Sequence, residues 1–208
     1  MTFNELKQIM QDNPLAGELI NNSGDGRLDS ALSEGIIINH LKNILPNVNI
    51  IEGPARYWYD IAIEQDGEFF PINIKITSGT SADNISSKKG MYYALTGIRP
   101  EQEKGLDKWE TFIHNLITNY KQTDADYYFV VCFKDSGELL FTSLKRLNTL
   151  VPNGNNLPFQ CNWGQNRSYT ERTEDCQMRY ILDSFISSYT KRTPGLDLLI
   201  QWRNENNF

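Results

Sequence analysis

The sequence predicts an α/β fold in which helices flank a central mixed β-sheet. Three observations carry this. Leu32, Ile36, Ile37, Leu41 and Ile44 recur at helical spacing. A run of strand formers from Tyr57 to Ile63 faces a second from Phe69 to Ile76 across Asp66-Gly67, a strong short hairpin signal. Further on, helical stretches alternate with another apolar run, Tyr127 to Phe133, an order that packs helices against a sheet.

The elements follow in turn. The segment to Arg27 reads as a short helix and then a polar turn, Asn21 to Gly26. Asp29 or Ser30 is placed to cap the next helix, which Pro46 ends. Val48 to Ile51 is a short strand before the hairpin. Pro71 in the return arm warns of an edge or a bulge, because proline cannot donate to a ladder. Thr77 to Asp83 is a polar loop, followed by helices from Asn84 to Gly97 and from Leu106 to Tyr120. Asp135-Ser136-Gly137 turns the strand at Tyr127 to Phe133 into Leu139 to Thr142. Residues 152 to 172 are loop-like and rich in Asn, Gln and Arg. Cys176 to Tyr189 is a helix, which Pro194-Gly195 separates from a last short one.

A chain of 208 residues suits one domain, 1–208, that buries its core without cross-links. Within it a core is expected at about 30–145, with a loop and C-terminal helices at about 146–208. Its three cysteines, Cys132, Cys161 and Cys176, and two histidines show no zinc-ligand spacing. No apolar run approaches the roughly 20 residues of a membrane helix. The first residues show no basic-then-apolar leader. The expectation is a cytoplasmic protein with no membrane partner. A net charge of −6 argues against non-specific coating of nucleic acid, which runs on excess Lys and Arg. It leaves room for a DNA enzyme that gathers basic residues on one face.

The chemistry concentrates in the hairpin. With Asp66-Gly67 as a two-residue turn, Gln65 pairs with Glu68, and counting outward sets Asp60 opposite Asn73. Opposed residues share a face, and Lys75, two residues on, shares it too. Asp60 offers a hard anionic oxygen for Mg²⁺. The Asn73 side-chain oxygen is a weaker, neutral ligand, and the Ile74 carbonyl another donor. Lys75 can orient an attacking water or stabilise charge on a phosphate. This trio suits metal-assisted phosphodiester hydrolysis. It also suits a sheet face that simply meets water. Against that stand Ile72, Ile74 and Ile76 on the opposite face and the aromatic run Tyr57-Trp58-Tyr59 beside Asp60.

The pattern Asp60…Asn73-Ile74-Lys75 resembles the type II restriction endonucleases of the PD-(D/E)XK nuclease superfamily, in particular their blunt-cutting subgroup. Ser78 to Ser86, Phe159-Gln160-Cys161-Asn162-Trp163 and Arg172-Thr173-Glu174 extend the likeness, which spans roughly residues 30 to 192. It departs at Asn73, where the family usually carries an acid, and at Tyr59, where it carries proline. The resemblance implies a restriction-endonuclease-like core and Mg²⁺-dependent, site-specific cutting of double-stranded DNA within restriction-modification. It also implies a homodimer on a short palindromic site. By the same resemblance Glu34, on the helix before the motif, would hold a metal-bound water; a helix-start acid favoured by the macrodipole accounts for it equally.

The resemblance further implies that the loop after Lys75 approaches DNA. Ser81, Ala82, Asp83 and Asn84 are small and polar there, and Asn84 suits adenine. Lys88 and Lys89 follow where phosphates would lie. In the later segment Asn155, Asn156, Gln160, Asn162, Arg167 and Arg172 are side-chain types that read bases. A helix cap at Asn84 and an ordinary surface loop are the alternatives. A repair or junction-resolving nuclease on the same core, or a catalytically inactive DNA-binding module, are the competing functions.

Overall fold

A computed structural model describes residues 1–15, 26–85, 88–153, 159–190 and 195–208. In chain order the first elements are α1 (Phe3–Asp12), α2 (Gly26–Ile44), β1 (Asn49–Glu52), β2 (Ile61–Gln65) and β3 (Glu68–Thr77). Then come β4 (Ala82–Asn84), α3 (Lys88–Thr96), α4 (Trp109–Asn119), β5 (Tyr128–Phe133) and β6 (Leu139–Ser143). The last are β7 (Val151–Pro152), β8 (Phe159–Asn162), α5 (Glu174–Tyr189) and α6 (Leu196–Glu205). They form two compact units: Met1–Ser81 with Tyr128–Thr142, and Ala82–Tyr127 with Ser143–Phe208. The boundary runs through the stretch 30–145, because 82–127 groups with the C-terminal part. Among the described residues no helix is long and apolar enough to cross a membrane.

The first unit holds a five-stranded sheet of order β1-β2-β3-β5-β6. β1–β2 and β2–β3 are antiparallel, while β3–β5 is parallel. The class is therefore α/β with a mixed sheet, as the element order implied. Strand alternation sorts Ile61, Ile63, Ile72 and Ile74, with Val130 and Cys132, into one apolar cluster. Leu6 and Met10 of α1 and Ile37 and Leu41 of α2 fill it. Each such side chain contributes roughly 1.5–3 kcal/mol on leaving water. α1 opens on a reciprocal cap, in which Glu5 N–H donates to Thr2 Oγ1 (3.3 Å) and Thr2 N–H to the Glu5 carboxylate (2.6 Å).

The hairpin register is as counted, from Gln65↔Glu68 to Ile61↔Ile72. Asp66 (φ 54°) and Gly67 (φ 83°) are both left-handed, as the tight turn between twisted strands demands. Pro71 introduces no bulge. It pairs with Ala62, and the β5 ladder begins only at Ile72↔Tyr128. The missing N–H thus falls where β3 has a neighbour on one side alone.

Two boundaries in this unit differ from expectation. α2 starts at Gly26, ahead of the expected caps Asp29 and Ser30, and most of the polar turn 21–26 lies outside the described residues. β2 begins at Ile61 rather than Tyr57. Tyr57, Trp58 and Tyr59 instead pack edge-on, with ring centroids 4.8 Å and 4.9 Å from Tyr59. That cluster competes with the ladder for the segment.

The second unit carries a three-stranded antiparallel sheet, β4-β8-β7, with α3 to α6. Two expectations are corrected here. Asn84 ends a strand, and the helix expected from it starts only at Lys88. The segment expected as loop holds β8, in which Phe159 and Cys161 are buried while Gln160 and Asn162 are not. Four residues of alternation among many amides are too few to stand out as a strand. α5 starts at Glu174, two residues before the expected Cys176, because Thr173 caps it through the Cys176 N–H (3.4 Å).

Candidate functional site

Asp60 sits one residue outside β2, and its position is fixed from both neighbours. Its N–H donates to the Ile72 carbonyl (3.0 Å), and its carbonyl accepts from Gly53 N–H (2.8 Å). A Cβ at Gly53 would lie 2.4 Å from the Tyr59 carbonyl oxygen, so the close approach of β1 requires glycine. Pairing with β3 stops at Ile61, so Asp60 meets Asn73 through side chains rather than as a ladder partner. Asp60 Oδ2 accepts from Asn73 Nδ2 (2.8 Å) and from Ile74 N–H (2.6 Å). Beyond the end of β2 that N–H would otherwise lack an acceptor.

Asp60, Asn73 and Lys75 are all partly buried and come together as the hairpin count implied. Burial pushes the Asp60 carboxyl above its ordinary range, with the Ile74 N–H and the Lys75 ammonium opposing it. Glu34, on α2, belongs to the same field. Burial raises its carboxyl, the Asp60 charge raises it further, and Lys75 opposes. Ile74 enters the site through its N–H.

The donor set fits a small hard cation. Asn73 Oδ1 is buried with no hydrogen-bond partner among the described residues. Its own NH₂ group is engaged by Asp60, which fixes the amide with the oxygen turned away. An unpaired buried amide oxygen costs roughly 1–3 kcal/mol, which a cation would offset. One carboxylate and one amide oxygen are hard donors of the kind Mg²⁺ accepts, with water and phosphate oxygens completing its shell. No group of three His, Cys, Asp or Glu gathers as a metal cage among the described residues.

The two segments expected to read DNA are adjacent strands of the second unit. β4 pairs with β8 through Ala82↔Asn162, Asp83↔Cys161 and Asn84↔Gln160. Ala82, Asn84, Gln160 and Asn162 therefore share one face. Asp83 is on the other, where its carboxylate accepts from the indole of the fully buried Trp163 (3.1 Å). Ser81 is exposed and closes the first unit. Asn155 and Asn156 lie outside the described residues.

The basic candidates divide. Lys88 Nζ donates to the Asp107 carbonyl (2.5 Å) and stands 4.2 Å over the Trp109 ring, and burial draws its ammonium below the usual lysine range. Lys89 pairs with the Asp107 carboxylate (3.1 Å). Arg172 stacks on Tyr180 at 4.0 Å and donates to the Lys145 carbonyl (3.3 Å). Arg167 is exposed. Two residues have no role of their own in the sequence reading: Asn153, at the start of the segment expected to read DNA, which holds Asn84, and the buried Asp126. Neither has a local signal, since the partners are 69 and 19 residues distant.

Comparison with protein-family models, curated proteins and solved structures finds no match to this chain.

Proposed function

We infer that this chain is a Mg²⁺-dependent endonuclease of the type II restriction kind, cutting double-stranded DNA at a short palindromic site as a cytoplasmic homodimer. The observation that carries this is the Asp60–Asn73–Lys75 cluster, with its raised carboxyl and its orphaned amide oxygen. Bound Mg²⁺ would supply an activated water and charge stabilisation at the phosphate. Asp60 and the Asn73 amide oxygen are the residues to hold it. Lys75 supplies the positive charge that attracts the scissile phosphate and steadies its developing negative charge. Ile74 N–H fixes the orientation of the Asp60 carboxylate. A two-fold dimer matches a palindrome, each protomer cutting one strand.

Supercoiled plasmid incubated with the protein and Mg²⁺ tests this. Discrete fragments that vanish in EDTA and with Lys75→Ala are the expected result. Intact plasmid at every Mg²⁺ concentration overturns it. A second reading, a DNA-binding module without activity, is favoured by one feature. Asn73 replaces an acid, and Asp60 has a purely structural task in capping the Ile74 N–H. Specific binding without cleavage would select that reading, and nicking confined to branched DNA would select a repair or junction nuclease.

A further inference from the structure

The Asn84 side chain is held from within its own sheet. Its Oδ1 accepts two N–H groups, from Asn153 Nδ2 at 2.7 Å and from Gln160 Nε2 at 3.1 Å. Gln160 is its direct cross-strand partner. Asn153 is only 5% exposed and is anchored in turn. Its backbone N–H donates to the Ser188 hydroxyl of α5 (3.0 Å), which itself donates to the Asn153 carbonyl. An amide oxygen has two lone pairs, and both of Asn84's are taken. Asn84 is exposed, so it offers solvent its NH₂ donors alone. Gln160 has given an N–H to Asn84 and keeps its Oε1 as an acceptor, with no hydrogen bond among the described residues.

From this juxtaposition we propose that Asn84 and Gln160 form one base reader, which presents a donor beside an acceptor to the major-groove edge of adenine. Asn153 is the positioning residue that fixes their order. The proposal takes its ligand class, duplex DNA, from the endonuclease reading above. Adenine offers the N7 acceptor beside the N6 amino donor on its major-groove edge. Guanine offers two acceptors, so its O6 would face the Gln160 oxygen unpaired. A lone asparagine reads adenine with both ends of its amide. Here one end is occupied and the glutamine supplies the missing acceptor.

The test selects binders from duplex DNA with a randomised centre, in Ca²⁺ rather than Mg²⁺, so that binding is read apart from cleavage. Wild type should enrich a motif containing adenine. Gln160→Leu should lose about ten- to a hundredfold discrimination at one A·T pair while the rest of the motif persists. Asn153→Asp sets an acceptor against Asn84, turns its NH₂ inward and should move the preference at that pair away from adenine. A merely structural Asn153 would weaken all sequences evenly. If Asn153→Asp does not fold, the partly buried Gln160 still decides the matter. An unchanged motif in Gln160→Leu overturns the proposal, and so does a wild type with no motif, even one that cuts plasmid. A wild type that selects the motif but never cuts with Mg²⁺ removes the nuclease reading and leaves this one standing.

Discussion

Asp126 and Asp60 both stand just ahead of a strand and are both drawn out of water, yet their surroundings differ. Asp126 is 1% exposed. Its Oδ1 accepts from Tyr127 N–H (2.8 Å) and Lys145 N–H (3.3 Å), and its Oδ2 lies 3.5 Å from the Arg146 guanidinium. Lys145 Nζ is held by the carbonyls of Thr123 (2.6 Å) and Ala125 (2.7 Å). Burial pushes the Asp126 carboxyl up, and Lys145 is the largest influence opposing it. Among the described residues one cation, Lys75, acts on Asp60, a second carboxyl, Glu34, shares the field, and the Asn73 oxygen has no hydrogen-bond partner. In the first cluster the chain supplies two cations, Lys145 and Arg146, while Asp126 Oδ2, like Asn73 Oδ1, has no hydrogen-bond partner among the described residues. The second sets two carboxyls against that single cation.

The largest effect expected from this contrast is on stability. Lys145→Met leaves Asp126 with one cation and frees two carbonyls of their donor. Leaving a part-buried carbonyl without its donor costs about 1–3 kcal/mol, so the two together come to roughly 4–24 °C in Tm at the 2–4 °C per kcal/mol usual for this chain length. Thermal melting would show it. A variant that melts with wild type would mean that the two acids are not differently supported.

Lys75→Ala should do the reverse. Cleavage of plasmid should fall at least about a hundredfold, the usual cost of losing a charge-stabilising group. The melting temperature should fall by less than in Lys145→Met, because Lys75 is partly exposed and solvent screens its charge. Asp60→Asn should likewise abolish cutting while keeping an oxygen to accept the Ile74 N–H. Large unfolding in either variant would make the cluster a structural one like Asp126.

The sequence made the second cluster legible and hid the first. Asp-Gly sets the turn, the turn sets the register, and period-two alternation puts Asn73 and Lys75 on the face Asp60 reaches. Asp126 and Lys145 are brought together only when the chain returns through β5 and β6, and nothing local announces that. The β4–β8 pair is hidden for the same reason, its residues Asn84 and Gln160 being 76 apart. Lys88 shows what position along the chain leaves out: its place after the polar loop suggests a phosphate contact, and the fold adds the Trp109 ring and the Asp107 carbonyl beside its ammonium.

Asn73→Asp sharpens the comparison within the site. The substitution removes the Nδ2 that donates to Asp60 and adds a third carboxyl to a field that already holds Asp60 and Glu34. Without metal the protein should lose stability. With metal the added charge should move the Mg²⁺ optimum several-fold lower, since a carboxylate is the stronger hard ligand. A Mg²⁺ titration of cutting rate, with melting curves in EDTA, reads both. Asn73→Leu provides the control: full activity there would mean that the amide does not contact the metal.

The smallest effect concerns Glu34 and carries a sign. Its carboxyl is raised above the ordinary 4.5, first by burial and then by Asp60. A carboxyl raised in the folded state holds its proton more tightly there than in the unfolded chain. Stability is therefore favoured below the ordinary value and is lost as pH rises from there through the raised one. Glu34→Gln removes the charge and so should raise Tm at pH 8 while leaving it nearly unchanged at pH 4. Mg²⁺ should narrow the difference at pH 8, because a bound cation relieves in wild type the repulsion that the variant lacks. Equal gains at both pH values would place the origin in packing rather than charge. No gain at either would mean that Glu34 is as well accommodated as Asp126.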